Sequence, residues 1–333
     1  MKTYTTCFLW FATVVAIGAL NVEVCNGTLQ GEALRLKFYN GTCPKAETIV
    51  KTIVEENAKV NPFLGALLLR MHYHDCFVRG CDGSILLDPT SVTEQVELQA
   101  EPNLSLLGFD VIEDIKTEVE KACPQTVSCA DIVALAARDG ISAPLGRQMW
   151  EVPLGRRDGN VSLASEAIAN LPSASSNFST LLNSFSRKGL NLTDLVALSG
   201  AHTVGIAHCG VISRRLFNFT GKGDTDPSID PTYAGFLKTR CSSSSKNILV
   251  VEMDPKSATS FDNHYYKNLI ERKGLFESDA SLISNSSAAQ LVNQFQNADA
   301  FFVEFAKSMK KMGAMDVLTG TQGEIRKECY QRN

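Results

Sequence analysis

Apolar residues recur at three-to-four spacing through residues 45–60, 109–123, 128–137, 178–188, 193–198, 262–272, 288–295 and 298–312. That period marks helices with one buried stripe. Strand-like alternation is rare and confined to pieces such as residues 150–152, so the predicted fold is all-α with minor β. Ser128 with Asp131 three residues on, and Thr193-Asp194 before Leu195, read as helix N-caps. Long punctuated loops, 88–107, 143–172 and 218–250, separate the helices. Loops of that length in a compact domain are usually anchored by disulfides, metals or a cofactor. The chain has 333 residues, 44% of them hydrophobic, and a net charge of −4. It can bury a sizeable core, and it has no basic excess to hold nucleic acid.

The N-terminus reads as an address. Met1-Lys2 precedes an apolar run over residues 8–20 and a small-residue stretch around Cys25-Asn26-Gly27, the pattern of a secretory signal peptide over residues 1–27. The run is shorter than the roughly 20 residues a membrane span needs. No later stretch is long and apolar enough, so the mature protein is expected outside the cell with no membrane contact. Ten cysteines occur, and Cys7 and Cys25 leave with the leader. The remaining even number in an exported chain reads as disulfides, although spacing alone does not choose among the pairings. A zinc cluster would need CxxC pairs, and none exist. Sequons at Asn40, Asn160, Asn177, Asn191, Asn218 and Asn285 fit a glycosylating pathway. Asn103 heads another but is expected to be buried.

Histidine chemistry must come from His72, His74, His202, His208 and His264. The stretch Gly65-Ala-Leu-Leu-Leu-Arg70-Met-His72-Tyr73-His74-Asp75-Cys76-Phe77 is a dense apolar helix with Arg70 and His74 at i and i+4. A permanent cation beside an imidazole opposes its protonation, leaving His74 neutral and available as a base. Metal binding by His72 and His74 together, as in a zinc hydrolase, is disfavoured because a helix turns residues two apart to different faces. The second stretch, Leu192 to Gly205, is a short apolar helix that delivers His202 into an apolar setting. A histidine there is either a satisfied core residue or an axial haem ligand with an anionic or carbonyl partner. No CxxCH occurs, so any haem would be held without thioether links. HExxH, GxSxG, GxxxxGK[ST] and GxGxxG are also absent.

At these residues a family likeness becomes specific. Arg70-Met-His-Tyr-His74-Asp-Cys76-Phe-Val-Arg-Gly-Cys81-Asp-Gly-Ser84 resembles the distal haem motif of the class III (secretory) plant haem peroxidases. Asp194-Leu-Val-Ala-Leu-Ser-Gly-Ala-His202-Thr203 resembles their proximal motif. Matching pieces run in order from Leu36-Lys-Phe-Tyr-Asn-Gly-Thr-Cys43-Pro to Cys329, among them Val127-Ser-Cys129-Ala-Asp131, Phe261-Asp-Asn-His-Tyr-Tyr and Leu318-Thr-Gly-Thr-Gln-Gly-Glu-Ile-Arg326.

The resemblance implies a peroxidase domain over residues 28–333, with one non-covalent haem b between two lobes. The distal lobe would span about residues 30–170 plus the C-terminal segment, and the proximal lobe about 171–300. It implies the pairs Cys43–Cys123, Cys76–Cys81, Cys129–Cys329 and Cys209–Cys241. It implies reduction of hydrogen peroxide to water through an oxoferryl porphyrin radical, with two one-electron oxidations of small phenolic donors, by a monomer. His202 would bind the iron, with Asp279 as its hydrogen-bond partner. His74 would move the peroxide proton, Arg70 would stabilise the departing oxygen, and Asn103 would orient His74. Tyr73, where the family usually has Phe, and Ser105 are expected beside the haem, and Pro172 at the donor edge. Two Ca2+ sites follow by the same likeness. One comprises Asp75, Asp82, Ser84, the Val78 and Gly80 carbonyls and Glu97 through water. The other comprises Thr203, Asp254, Ser257, Asp262 and the Ser260 carbonyl. Arg156 and Asp131 read as a structural ion pair.

Overall fold

A computed structural model describes residues 34–242 and 249–333, and the predicted leader lies outside the described residues. Among the described residues thirteen α-helices follow in order: α1 (Ala46–Val60), α2 (Leu64–Val78), α3 (Phe109–Ala122), α4 (Cys129–Leu145), α5 (Ala164–Asn170), α6 (Phe178–Arg187), α7 (Leu192–Ser199), α8 (Cys209–Phe217), α9 (Pro231–Arg240), α10 (His264–Ile270), α11 (Glu277–Ser281), α12 (Ser286–Gln294) and α13 (Ala298–Met312). Two short strands, β1 (Ile206–His208) and β2 (Val250–Glu252), pair antiparallel with Ile206 opposite Glu252. The mostly helical expectation holds. Residues 150–152 do not form a strand. They are extended chain leading to an isolated bridge between Leu154 and Arg35. Trp150 and Val152 are buried while Glu151 faces out, and this gives a strand-like alternation without a ladder.

Helix α2 is buried nearly all round, through Leu64, Leu68, Leu69, Met71, His72, His74 and Phe77, as its dense apolar sequence requires. It crosses α4 at a pair of glycines. A Cβ on Gly140 would lie 2.9 Å from Gly65 Cα, so two backbones meet where any side chain would push them apart. Around this crossing runs a main core that takes in Val50, Ile115, Leu135, Trp150, Val196, Tyr266 and Phe305. A smaller core joins β1, α8, α9 and β2 through Ala207, Ile212, Leu216, Leu237 and Val251. Disulfides link Cys43 to Cys123, Cys76 to Cys81, Cys129 to Cys329 and Cys209 to Cys241. Among the described residues no helix is long and apolar enough to cross a membrane.

Helix α4 begins where Ser128 Oγ accepts from the Asp131 amide at 3.1 Å. It runs well beyond the predicted end at residue 137. The continuation Arg138-Asp139-Gly140 looks polar, but the guanidinium and carboxylate bond each other at 2.8 and 3.0 Å, so the pair enters the interior together. Asp131 is fully buried. It accepts from Arg156 Nη1 at 2.7 Å, the Tyr39 hydroxyl at 2.7 Å and the Gly155 amide at 2.7 Å. Removing it strands a buried guanidinium, a loss of about 3–5 kcal/mol. Asp131→Ala is therefore expected to lower the unfolding free energy by that amount, read as a lower urea midpoint at unchanged slope. A loss below about 1 kcal/mol would show that the Gly313 and Pro153 carbonyls, which accept from Arg156 Nε at 2.8 Å and Nη1 at 2.9 Å, suffice for this guanidinium.

Candidate active site

Helix α2 delivers Arg70, Tyr73 and His74 within little more than one turn. His74 Nδ1 lies 2.6 Å from Asn103 Oδ1. The Asn103 amide is oriented by its own Nδ2, which donates to the Glu97 carbonyl at 2.7 Å. Its oxygen must therefore face the imidazole, so Nδ1 carries the proton and Nε2 keeps its lone pair. Among the described residues nothing bonds Nε2. Burial foremost, and the Arg70 charge second, bring the His74 pKa down to about 3. Sequence reasoning named only the second cause.

Arg70 Nη2 donates to the Pro102 carbonyl at 2.9 Å, and Nη1 donates to the carbonyl and hydroxyl of Ser105 at 3.2 and 3.1 Å. Both Ser105 oxygens thus anchor the guanidinium. Tyr73 is half-buried, with its ring edge-on to His74 and 4.4 Å from Phe77.

The second histidine sits in a tight turn, Gly200–Thr203, that follows α7. Helix α7 starts on a capping box between Asn191 and Asp194, with its N-cap two residues before the expected Thr193. Gly200 is required where the turn abuts Tyr266 and Phe301. His202 Nδ1 bonds Asp279 Oδ1 at 2.7 Å, and the histidine side chain is 38% exposed against 2% for its partner. Asp279 also accepts from the Phe276 amide at 2.8 Å and the Tyr265 hydroxyl at 3.0 Å. Burial alone would raise its pKa, but His202 and these donors hold it below the usual carboxylate value. An imidazole anchored on one nitrogen to a buried carboxylate, with the other nitrogen unbonded among the described residues, is a donor set that fits a haem iron.

Near the C-terminus of α2, Asp75, Asp82 and Glu97 are buried together. Asp75 Oδ2 takes the Gly83 amide and Asp82 Oδ1 the Ser84 amide, each at 3.0 Å. Among the described residues Asp75 Oδ1, Ser84 Oγ and both Glu97 carboxylate oxygens have no hydrogen-bond partner. Burial first, and Asp75 next, push Glu97 up to about 9. Burial followed by Asp82 raises Asp75 as well. Orphaned, mutually repelling oxygens at a tight glycine-containing turn fit a hard cation. The Val78 carbonyl of this group also accepts from Lys188 Nζ at 2.9 Å, and Gly80, at φ 107°, packs on Asp316.

The other oxygen cluster lies beside His202. Thr203 Oγ1 donates within 3.1 Å of Asp254 Oδ2 and 3.0 Å of Asp262 Oδ1, and Ser257 Oγ reaches Asp262 Oδ2 at 2.6 Å. Ser260 closes the same turn, its amide bonding the Ser257 carbonyl at 2.9 Å. Asp254 is further held by His264 Nδ1 at 2.6 Å and Asn268 at 2.8 Å, two residues outside the set that the resemblance implies. Pro172 is half-buried, in a segment tied to α11 by the Ser278 amide bonding the Ala174 carbonyl at 2.9 Å.

His72 is turned away from His74. Its Nδ1 lies 3.5 Å from Cys76 Sγ, and burial followed by Arg156 lowers its pKa to about 3. His72, Cys76 and Cys81 are close enough to suggest a metal group, but the two sulfurs are bonded to each other and offer no thiolate. His72 is grouped with the disulfide sulfurs and not with His74, against the zinc alternative.

Comparison with known proteins agrees with this geometry. A family model described as Peroxidase matches residues 50–298. Peroxidase 24 of Arabidopsis thaliana is 53% identical over 312 residues, covering 92% of this chain and 89% of that protein. Peroxidase 39 of the same organism is 51% identical over 322 residues, covering 95% and 98%. Peroxidase 3, also from Arabidopsis, is 47% identical over 310 residues, covering 92% and 94%. The chain therefore belongs to the peroxidase family, and within it to the class III plant peroxidases.

Proposed function

We propose that this peroxidase, an enzyme oxidising donors at the expense of hydrogen peroxide, uses Arg70, His74 and Asn103 to cleave the peroxide and His202 with Asp279 to hold one haem b. The observation that carries this reading is the pair of histidines, each anchored at Nδ1 by an oxygen acceptor and each presenting Nε2. When bound, the haem supplies Lewis-acid binding of peroxide and storage of the two oxidising equivalents later passed to donors.

The chain's own groups move the protons and steady the charge. His74 Nε2 removes the proton from one peroxide oxygen and returns it to the other, which leaves as water. Asn103 keeps the tautomer that makes this possible. Arg70, fixed by Pro102 and Ser105, presents its charge where negative charge grows on the departing oxygen. Tyr73 is proposed to flank the haem beside His74, and Pro172 to border the site where phenolic donors give up their electrons. Asp75, Val78, Gly80, Asp82, Ser84 and Glu97 are proposed to hold one Ca2+, and Thr203, Asp254, Ser257, Ser260 and Asp262 a second. The two site histidines are each wired to one of these clusters, His74 through Asn103 to Glu97 and His202 through its neighbour Thr203. The proposed setting is extracellular, as a secreted monomer.

Three measurements test this reading. His74→Leu is expected to slow the reaction of the resting enzyme with peroxide by about 10²–10⁴-fold with haem content and fold retained. Guaiacol turnover and stopped-flow spectra read the change, and unaltered kinetics would refute the assigned role. Because the His74 pKa is down at about 3, the imidazole stays neutral above that value and is lost as a base below it. The peroxide rate constant should therefore be flat through mildly acidic pH and fall only on approach to pH about 3. A midpoint near the ordinary histidine value of about 6.5 would contradict the burial argument. Glu97→Gln removes one of three repelling buried carboxylates. It should raise the melting temperature of the calcium-free protein while weakening calcium binding at least roughly tenfold. If both properties stay at wild-type values, Glu97 does not face a cation.

A further inference from the structure

Asp279 Oδ1 accepts two hydrogen bonds at once. One comes from His202 Nδ1 at 2.7 Å and the other from the Tyr265 hydroxyl at 3.0 Å. Oδ2 accepts from the Phe276 amide at 2.8 Å. The carboxylate is 2% exposed, so these donors, rather than bulk water, decide how its negative charge is shared. Tyr265 is itself 3% exposed on α10, with its ring edge-on to His202 at 6.1 Å and to Tyr266 at 5.2 Å. The phenol thus competes with the imidazole for the same oxygen.

We infer that Tyr265 is a positioning residue that limits how much anionic character Asp279 confers on His202, and so sets the reduction potential of the iron. The inference rests on the reading of His202 as the iron's ligand. A carboxylate that accepts strongly from the distant ring nitrogen makes the metal-bound nitrogen more basic and disfavours the reduced metal. Every share of Oδ1 taken by the phenol weakens that pull. Removing the hydroxyl while keeping the ring leaves Oδ1 to His202 alone, and the imidazole becomes more imidazolate-like. Packing around His202 is retained, because Phe fills the same volume against His202 and Tyr266.

The test uses the haem-loaded enzyme. Potentiometric titration and resonance Raman spectra of the reduced form are compared for wild type, Tyr265→Phe, Asp279→Asn and the double variant. Tyr265→Phe is expected to shift the midpoint negative by about tenfold in the reduction equilibrium, which is about 59 mV for one electron, and to raise the iron–histidine stretching frequency. Asp279→Asn should shift both in the opposite sense, and in that background Tyr265→Phe should add no further change. An unchanged or positive shift in Tyr265→Phe overturns the inference, as does an equal shift in the Asn background. If wild type shows no iron–histidine band, the reading of His202 fails instead, so the two failures are separable. Should Tyr265→Phe not take up haem, 3-fluorotyrosine in the wild-type chain provides a stronger phenol donor. It should move the midpoint positive, and no movement would again overturn the inference.

Discussion

The close approach of Gly65 and Gly140 governs the geometry around Arg70 and His74. Arg70, His74 and Asp75 ride on α2, and their depth and rotation follow from how tightly that helix lies on α4. Helix α4 carries Asp131, whose bonds to Arg156, Tyr39 and Gly155 fix the far side of the crossing, and Cys129, which is tied to Cys329. A methyl group at either glycine would separate the helices and move the His74 imidazole relative to Asn103, which is anchored elsewhere through Glu97. A misplacement of one ångström in a proton-transfer site costs rate steeply, so this backbone contact matters to chemistry as well as to packing.

Both sites follow one electrostatic scheme. A histidine is kept in a single tautomer by an oxygen acceptor at Nδ1, and the acceptor is held in turn by a segment leading to an oxygen-rich cluster. On one side the acceptor is the neutral Asn103 amide, which leaves His74 a weak base suited to brief proton custody. On the other it is the Asp279 carboxylate, which makes His202 a strong donor to a metal. The difference between a neutral and an anionic partner separates a proton carrier from a ligand. Arg326 ties the turn at residues 82–84 to the C-terminal segment, bonding the Gly83 and Cys329 carbonyls from a fully buried position.

Much of the helical layout was legible, because long amphipathic segments such as α13 show their period regardless of context. Helix α9 was read as loop. Asp230-Pro231 suits a turn, but it suits a helix start equally, and here Asp230 caps the Tyr233 amide with Pro231 in the first turn. The end of α4 was missed because Arg138 and Asp139 look exposed until they are seen to neutralise one another. Within the candidate site, the neutrality of His74 was anticipated from Arg70 alone. Desolvation, the larger cause, depends on residues distant in the chain. Ser105 was expected near the haem, and nothing in its neighbours disclosed that both its oxygens anchor Arg70.

The sequence by itself determined which residues stand one turn apart, which segments prefer helix and which motif the chain shares with its relatives, since these are local or compositional properties. It did not determine that Tyr265 reaches the oxygen claimed by His202, or that both carboxylate oxygens of Glu97 lack a hydrogen-bond partner among the described residues. Those facts arise from segments brought together across 14 residues in the first case, and from exclusion of water in the second. Only the packed interior decides them, because the strength of a charge or hydrogen bond there depends on what surrounds it rather than on what precedes it in the chain.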